Sequence, residues 1–330
     1  LAHHEAACFV TRGLRRLIAS DGRINPVNLH IIALSTVEGR PAAQIQSAFD
    51  GLTAASSAYL ETGIVDAFAA AGSDVSTLAK PILEPAEQSD DRIVNLGNMN
   101  AKIAAEVVSA HQAGSKPVLL GGTCSHLIGM IAGLQQVYGD DARIGLLWLD
   151  AHGDFNTPRT TLSGMLGGMP VAVTAGLCFP RWREIAGQRS PLPTNRIVMV
   201  DARNLDPAEE MLIRATDVAV ARFGPDFAIA PVTRAIDRLV SEIDVLYVHV
   251  DADILDASLQ PNHPTAEPNG PDLATVQEIL SHAFRTANVG AFGVVSVNPT
   301  GPDGPISLAS GTAMLVHGIT EWTAKNALAV

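Results

Sequence analysis

The sequence predicts an α/β fold, a doubly wound α/β/α sandwich. Two observations carry that expectation. Short apolar, β-branched runs alternate with longer amphipathic segments along the chain. Several of the runs are apolar on successive residues, so both of their faces must be covered, as in a parallel sheet between two helix layers. Composition agrees: hydrophobic residues make up 47% of the 330 residues and charged residues 17%. That is ample material for a core and too little charge for general disorder. The length fits one α/β domain over residues 1–330.

In chain order, the apolar run at 29–34 reads as a strand and the amphipathic segment 98–113 as a helix. The same alternation gives a strand at 117–120, a helix at 125–137 and strands at 144–149 and 197–200. Residues 207–214 read as a helix, because Pro207 suits a first helical turn and Asp206 can cap it. A strand at 218–221, a helix at 230–242 and a strand at 245–250 follow. The Pro- and Gly-rich stretch 261–271 lies between a strand and a helix (273–286) and reads as an active-site loop. The last strand, 292–297, runs into a similar loop at 298–305. No fixed-period repeat, low-complexity tract or linker interrupts this order.

Charge and cysteine usage narrow the function. Lys+Arg number 22 against 34 Asp+Glu, a net charge of −12. Such a surface repels phosphate backbones and argues against nucleic acid as partner. The three cysteines, Cys8, Cys124 and Cys178, are odd in number and widely spaced, so they suggest a reducing, cytoplasmic setting rather than a disulfide framework. No apolar run reaches the roughly 18 residues of a membrane span. The start of the chain lacks the basic-then-apolar order of a signal peptide, and His3 and His4 carry no argument.

In open α/β sheets, ligands bind beyond the carboxyl ends of the strands, and the reactive residues collect there. The run 144–149 leads into Asp150, His152 and Asp154. The run 245–250 leads into Asp251, Asp253 and Asp256. The run 117–120 leads into Gly121-Gly122-Thr123-Cys124-Ser125-His126. Extended residues two apart share a face, so Asp150, His152 and Asp154 can converge, as can Asp251 and Asp253. Carboxylates packed so closely repel and raise one another's pKa, a conflict that one or two divalent cations remove. A single Asp after a strand is more often a cap or a turn residue. Asp-x-His-x-Asp together with Asp-x-Asp, both after apolar strands, points to metal. Mixed Asp/His donors suit Mn²⁺, with Zn²⁺, Ni²⁺ or Fe²⁺ as other candidates. Two such ions can activate water to hydroxide at neutral pH.

These motifs resemble the arginase/agmatinase (ureohydrolase) superfamily, and its arginase-like branch. The matching pieces are GGTCS at 121–125, DAHGDFNTPRTTLSG at 150–164, VDADILDAS at 250–258, AEPNG at 266–270 and VSVNP at 295–299. The resemblance implies a three-layer α/β/α sandwich around a central parallel eight-stranded sheet, a two-manganese cluster, a homo-oligomer (trimer or hexamer) and hydrolysis of a C–N bond. By position, Asp150, Asp154 and Asp251 match ligands of one metal. Asp150, His152, Asp251 and Asp253 match ligands of the other. Asn156 and Ser163 match positions that hold a substrate carboxylate. Asp206 matches one that holds a substrate amino group, with Glu209 near it.

Three departures shape the functional reading. The family's metal-ligating His of Gly-Gly-Asp-His-Ser is here Cys124, a softer donor that favours Zn²⁺ or Fe²⁺. The family's proton-shuttling His is Gly167, which leaves His126 and His263 as candidates for the role. The family's guanidinium-pairing Glu is Ser296; without it a cationic group buried at the scissile end lacks an anion. Glu267 can compensate, or serve as loop structure. Met165 stands where arginase has Asn and makes the far end less polar.

The main expectation is a metal-dependent hydrolase of a linear, non-peptide C–N bond in a small molecule: a guanidine, amidine, ureide or amide. Metal-activated hydroxide is the nucleophile, and Asp154 accepts a hydrogen bond from it. Asp150, His152, Asp154, Asp251 and Asp253 hold metal together with Cys124. One alternative is hydrolysis of a modified arginine such as N-hydroxyarginine, which needs the lost Glu less. Another is a non-catalytic, metal-stabilised relative. Trp148, His249 and His317 read as core residues, and Arg203 as an ion-pair residue at the edge of the site.

Overall fold

The computed structural model describes residues 26–37, 40–41 and 49–328. His3, His4 and Cys8 lie outside the described residues.

Eight strands form the main sheet: β1 Val27–Leu34, β2 Ser73–Ala79, β3 Lys116–Gly121, β4 Ile144–Asp150, β5 Ile197–Asp201, β6 Ala219–Ala221, β7 Val245–Asp251 and β8 Val289–Val295. Their order across the sheet is β2-β1-β3-β8-β7-β4-β5-β6. Every neighbouring pair is parallel, so all carboxyl ends share one edge. The register sets Val295 opposite Asp251, Leu149 opposite Val250 and Asp150 opposite Asp201. The reactive ends of β7 and β4 are thereby side by side.

Ten α-helices lie among the described residues: α1 Ala55–Glu61, α2 Ile64–Ala70, α3 Arg92–Gln112, α4 Leu127–Tyr138, α5 Pro170–Thr174, α6 Pro180–Ala186, α7 Pro207–Arg214, α8 Ala230–Glu242, α9 Leu273–Thr286 and α10 Gly304–Leu328. They cover both faces, and the strands show why. In β4, Leu147 and Leu149 join one core with Phe68 of α2, Ile236 of α8, Phe284 of α9 and Trp322 of α10. Leu146 and Trp148 point the other way, into a core with Ile103 of α3 and Ile131 of α4. Alternation along a strand serves two layers when both are apolar. Each fully buried side chain of this size contributes roughly 1.5–3 kcal/mol over exposure, so the layers hold the strand ends where they are.

The three-layer parallel sandwich is as expected, and the helices at 207–214, 230–242 and 273–286 fall on α7, α8 and α9. Asp206 starts α7 in a reciprocal capping box with Glu209. The differences have causes. β2 reads Ser-Asp-Val-Ser-Thr-Leu-Ala and is half exposed, so an edge strand without an apolar run went unread. Helix α3 begins at Arg92, not 98, because Asp91 caps it by accepting from the Ile93 N–H at 2.9 Å. β8 ends at Val295 rather than 297 because Ser296 turns the chain with φ +61°. Helices α1, α2, α5, α6 and α10 were not anticipated. No helix among the described residues is long and apolar enough to cross a membrane.

Candidate metal centre

Five strand ends build the site. After β3, Gly121 and Gly122 turn with φ +75° and +78°, which sets Cys124 at the head of a short 3-10 turn leading into α4. A Cβ on Gly122 would meet His126 Nδ1 at 2.6 Å, so only glycine lets that ring pack there. After β4 come Asp150, His152 and Asp154, the last with φ +46° and its carbonyl accepting from Val171 N–H at 3.0 Å. Gly153 packs against the Glu209 carboxylate, which a Cβ would approach to 2.9 Å. β7 delivers Asp251 and Asp253, and β8 is followed by Ser296, whose N–H donates to Gly122 O at 2.9 Å. From β5, Arg203 pairs with Asp201 at 2.5 Å.

Three donor groups converge. Cys124, Asp150 and Asp251 form one; Asp150, His152 and Asp253 a second; Asp251, Asp253 and His263 a third. Within each, the ligand atoms all lie within 4.8 Å of one another. Cys124 Sγ is 2.9 Å from Asp251 Oδ2 and 3.7 Å from Asp150 Oδ2. His152 Nδ1 is 3.1 Å from Asp253 Oδ2 and 3.3 Å from Asp150 Oδ1. His263 approaches Asp251 Oδ1 to 3.7 Å through Nε2, an atom that is buried and has no hydrogen-bond partner. Backbone N–H groups steady the carboxylates: His152 N donates to Asp150 at 2.6 Å and Asp253 N to Asp251 at 3.0 Å.

Electrostatics favour a cation here. Burial, then the charges of Asp253 and Asp251, push the Asp150 carboxyl well above its ordinary range. Burial does the same to Asp154, with Asp251 adding to it and His152 opposing. Asp251 is raised by burial and by Asp253. Cys124 is raised by burial and by Asp251, Asp154 and Asp150. Asp253 goes the other way: burial opposes its charge, but the His152 hydrogen bond and the nearby His263 hold it low. Buried carboxylates that resist ionising in one another's company, with an imidazole beside them, are a donor set that divalent ions complete. The residues therefore fit the metals that the sequence motifs implied.

Above the donors opens a cleft of about 280 Å³, near the lower end of small-ligand sites. Asn156, Ser163, Asp206, Glu209, His263 and Ser296 line it together with Cys124, Asp150, His152, Asp251, Asp253 and Asp154, the last of which belongs to none of the three donor groups. Asp206 Oδ2 accepts from Asn156 Nδ2 and from Leu162 N, each at 3.1 Å. Glu209 accepts from Phe155 N at 2.7 Å and Asp206 N at 3.2 Å; burial raises its pKa while those bonds oppose the rise. Glu267 stands at the margin, accepting from Asn204 Nδ2 at 2.5 Å and lying 3.5 Å from His152 Nε2. His126 is different: it is fully buried, lies outside the cleft lining, and sits beneath Gly122 with burial lowering its pKa to about 4. Met165 and Gly167 also line the cleft, and a Cβ on Gly167 would meet nothing within 4 Å.

Sequence reasoning missed several residues. Thr265 donates to Asp253 Oδ2 at 3.1 Å and approaches His263 Nδ1 at the same distance. Asn204 lines the cleft. His249 was read as core and is buried, yet its Nε2 lies 3.4 Å from Cys124 Sγ. Alternation sets Tyr247, His249 and Asp251 on one side of β7, but only the position of Cys124 shows that the ring faces a sulfur.

The family model described as Arginase family matches residues 42–319. The arginase of Bacillus caldovelox is 33% identical over 182 residues, which cover 53% of this chain and 60% of that protein. The structure of Entamoeba histolytica arginase in complex with L-ornithine superposes with a TM-score of 0.77 at 20% identity, covering 90% of this chain and 99% of that one. The formimidoylglutamase of Bacillus subtilis superposes with a TM-score of 0.65 at 19% identity, covering 93% and 90%. A family match over most of the chain, on a sheet whose strand ends carry the expected donors, makes this chain a member of the arginase family of hydrolases.

Proposed function

We propose that the protein hydrolyses a linear, non-peptide C–N bond in a small neutral or weakly basic substrate, an amidine, ureide or amide, rather than arginine itself. One observation supports the reading: the cleft gathers carboxylate and imidazole donors, with Cys124 in place of the family's His, while its positions Ser296 and Gly167 lack the carboxylate and the imidazole of an arginine-hydrolysing site. A guanidinium facing Ser296 would lose its solvation without gaining an anion. A neutral group there loses little.

Two divalent ions are the proposed cofactors. Cys124, Asp150, Asp154 and Asp251 would hold one, and Asp150, His152, Asp251 and Asp253 would hold the other. Mn²⁺ suits the oxygen-rich set and Zn²⁺ the set that includes sulfur. When bound, the ions supply Lewis acidity that makes water nucleophilic at neutral pH.

The chain's own residues do the rest. Asp154 accepts a hydrogen bond from the attacking water and so aims it. Asn156, Ser163, Asp206 and Glu209 bind the polar far end of the substrate and orient the scissile bond. Asp206 already accepts from Asn156, so that end is preset. His263 carries the proton to the leaving nitrogen; its Nε2 faces Asp251 without another partner. His126, buried beneath Gly122, has no part in this scheme. Glu267 holds the loop beside His152.

Release of ammonia or amine from a panel of amidines, ureides, amides and guanidines tests the proposal, using protein loaded with Mn²⁺ or Zn²⁺. Turnover of an amidine, ureide or amide above that of arginine, abolished by a chelator, supports it. A fully loaded protein that turns over none of them overturns it.

A further inference from the structure

Beneath the centre, a chain of three buried side chains ends on the Cys124 sulfur. Tyr247 and His249 both lie on β7 and are wholly buried. The Tyr247 hydroxyl is 2.9 Å from His249 Nδ1, and His249 Nε2 is 3.4 Å from Cys124 Sγ. Trp148 of β4 stacks on the His249 ring at 4.1 Å with an interplanar angle of 4°. The ring therefore has one plane and two fixed neighbours.

Hydrogen-bond balance sets its direction. A buried phenol O–H left without an acceptor costs about 1–3 kcal/mol, and among the described residues Nδ1 is the acceptor within reach. If Tyr247 donates to Nδ1, the neutral ring carries its proton on Nε2. That N–H then points at sulfur. Sγ meanwhile faces Asp251 at 2.9 Å and Asp150 at 3.7 Å, the other members of its donor group.

We propose that His249, oriented by Tyr247 and Trp148, is a positioning residue that holds the Cys124 sulfur toward the donor group with Asp150 and Asp251, and so biases that position toward a thiophilic divalent ion such as Zn²⁺ over Mn²⁺. The proposal rests on the reading that Cys124 faces a bound cation. The chemistry is that of an outer partner donating to a ligand atom: the N–H fixes the sulfur in place and stabilises the negative charge of its thiolate form. Softer sulfur favours Zn²⁺, where oxygen and nitrogen donors accept Mn²⁺.

Cobalt(II) is the probe. Sulfur bound to Co²⁺ gives a near-ultraviolet charge-transfer band, which reports ligation without any assay of activity. Wild-type protein titrated with Co²⁺ is expected to show the band, and Cys124→Ser to bind Co²⁺ without it. His249→Phe keeps the stack and loses the N–H. It is expected to weaken the Zn²⁺ preference over Mn²⁺ in direct competition by about tenfold or more, the scale of outer-partner effects on metal affinity. Tyr247→Phe, a milder change, is expected to shift the band without abolishing it. Bound Co²⁺ with no band in wild type overturns the role of Cys124. An unchanged Zn²⁺/Mn²⁺ preference and an unchanged band in both His249→Phe and Tyr247→Phe overturn the role of His249. Failure of wild type to bind any Co²⁺ overturns this proposal and the metal reading beneath it together.

Discussion

Cys124 and Asp251 meet over the carboxyl edge of the sheet, Sγ 2.9 Å from Oδ2, although their strands β3 and β7 are separated by β8. The thiol belongs to the apolar layer of Trp148, Leu127 and Phe155 and turns its sulfur to the carboxylates at that layer's edge. The contact links one of the three residues that depart from the family pattern to a carboxylate common to both proposed donor sets.

Metal removal should be visible in stability. Asp150, Asp154 and Asp251 are each raised by burial and by neighbouring carboxylates. A cation that binds the folded chain relieves that conflict. At a hundredfold excess over its Kd it stabilises by about 2.7 kcal/mol. Thermal unfolding of chelated protein, with and without added Mn²⁺ or Zn²⁺, should show the midpoint rising by several degrees. No rise at saturating metal would count against the donor assignment.

Asp253 is the carboxylate that stays charged, beside His152 and under the Thr265 hydroxyl. Asp253→Asn keeps the shape and removes the charge. It should cost about one metal equivalent by elemental analysis and lower turnover by about a hundredfold or more. Full metal content in the variant would contradict its role as a ligand.

The missing arginine-reading groups can be put back. Gly167 has open space where a side chain would project, and Ser296 lines the same cleft. The double variant Gly167→His with Ser296→Glu should raise kcat/KM for arginine by about tenfold or more, worth about 1.4 kcal/mol of transition-state stabilisation. Urea release measures it. No gain in a folded, metal-loaded double variant would mean that these two positions do not set the substrate.

Arg203 braces the loop that carries His263 and Glu267. Its guanidinium pairs with Asp201 and donates to the carbonyls of Asp253, Ile254, Leu255, Glu267 and Pro268. Arg203→Ala leaves a largely buried carboxylate and several carbonyls unpaired, at a cost of about 3 kcal/mol. Arg203→Lys should not restore it, since an ammonium cannot reproduce the fork. Urea midpoints for the three proteins decide the matter.

Acid sensitivity should start just below neutral pH. Burial lowers the folded pKa of His111, against its bond to the Gly290 carbonyl, and of His317. Below about pH 6.5 the unfolded chain binds protons that these folded rings resist. At these two rings the unfolded chain then carries more protons than the folded one, so their contribution to stability is present above that value and is lost as pH falls below it. Denaturant unfolding at pH 7.5 and 5.5 should show His111→Gln losing less stability on acidification than wild type does. No such change in either His111→Gln or His317→Gln would place the acid sensitivity elsewhere.

The strands that carry the site were legible because they are central: doubly buried strands such as β4 and β7 must be apolar throughout, and their polar ends then stand out. The metal residues shared that advantage. β2 lacked it, since half its side chains meet water. The long helix α10 was unread although Met314, Leu315, Ile319 and Trp322 enter the core. His249 shows a different limit. A histidine in an apolar run gives the same pattern whether it is merely satisfied or aimed at a functional sulfur; only the position of Cys124, brought in from β3, separates the two. His126 shows the converse, since its closeness in sequence to Cys124 said nothing of the depth at which its ring lies.

The most direct test is turnover measured against metal equivalents on one preparation of the protein. The account predicts that hydrolysis of a neutral or weakly basic C–N substrate grows as the second equivalent binds, with kcat/KM above that for arginine. Two bound equivalents with no hydrolysis of any such substrate, or with arginine preferred over all of them, would contradict it.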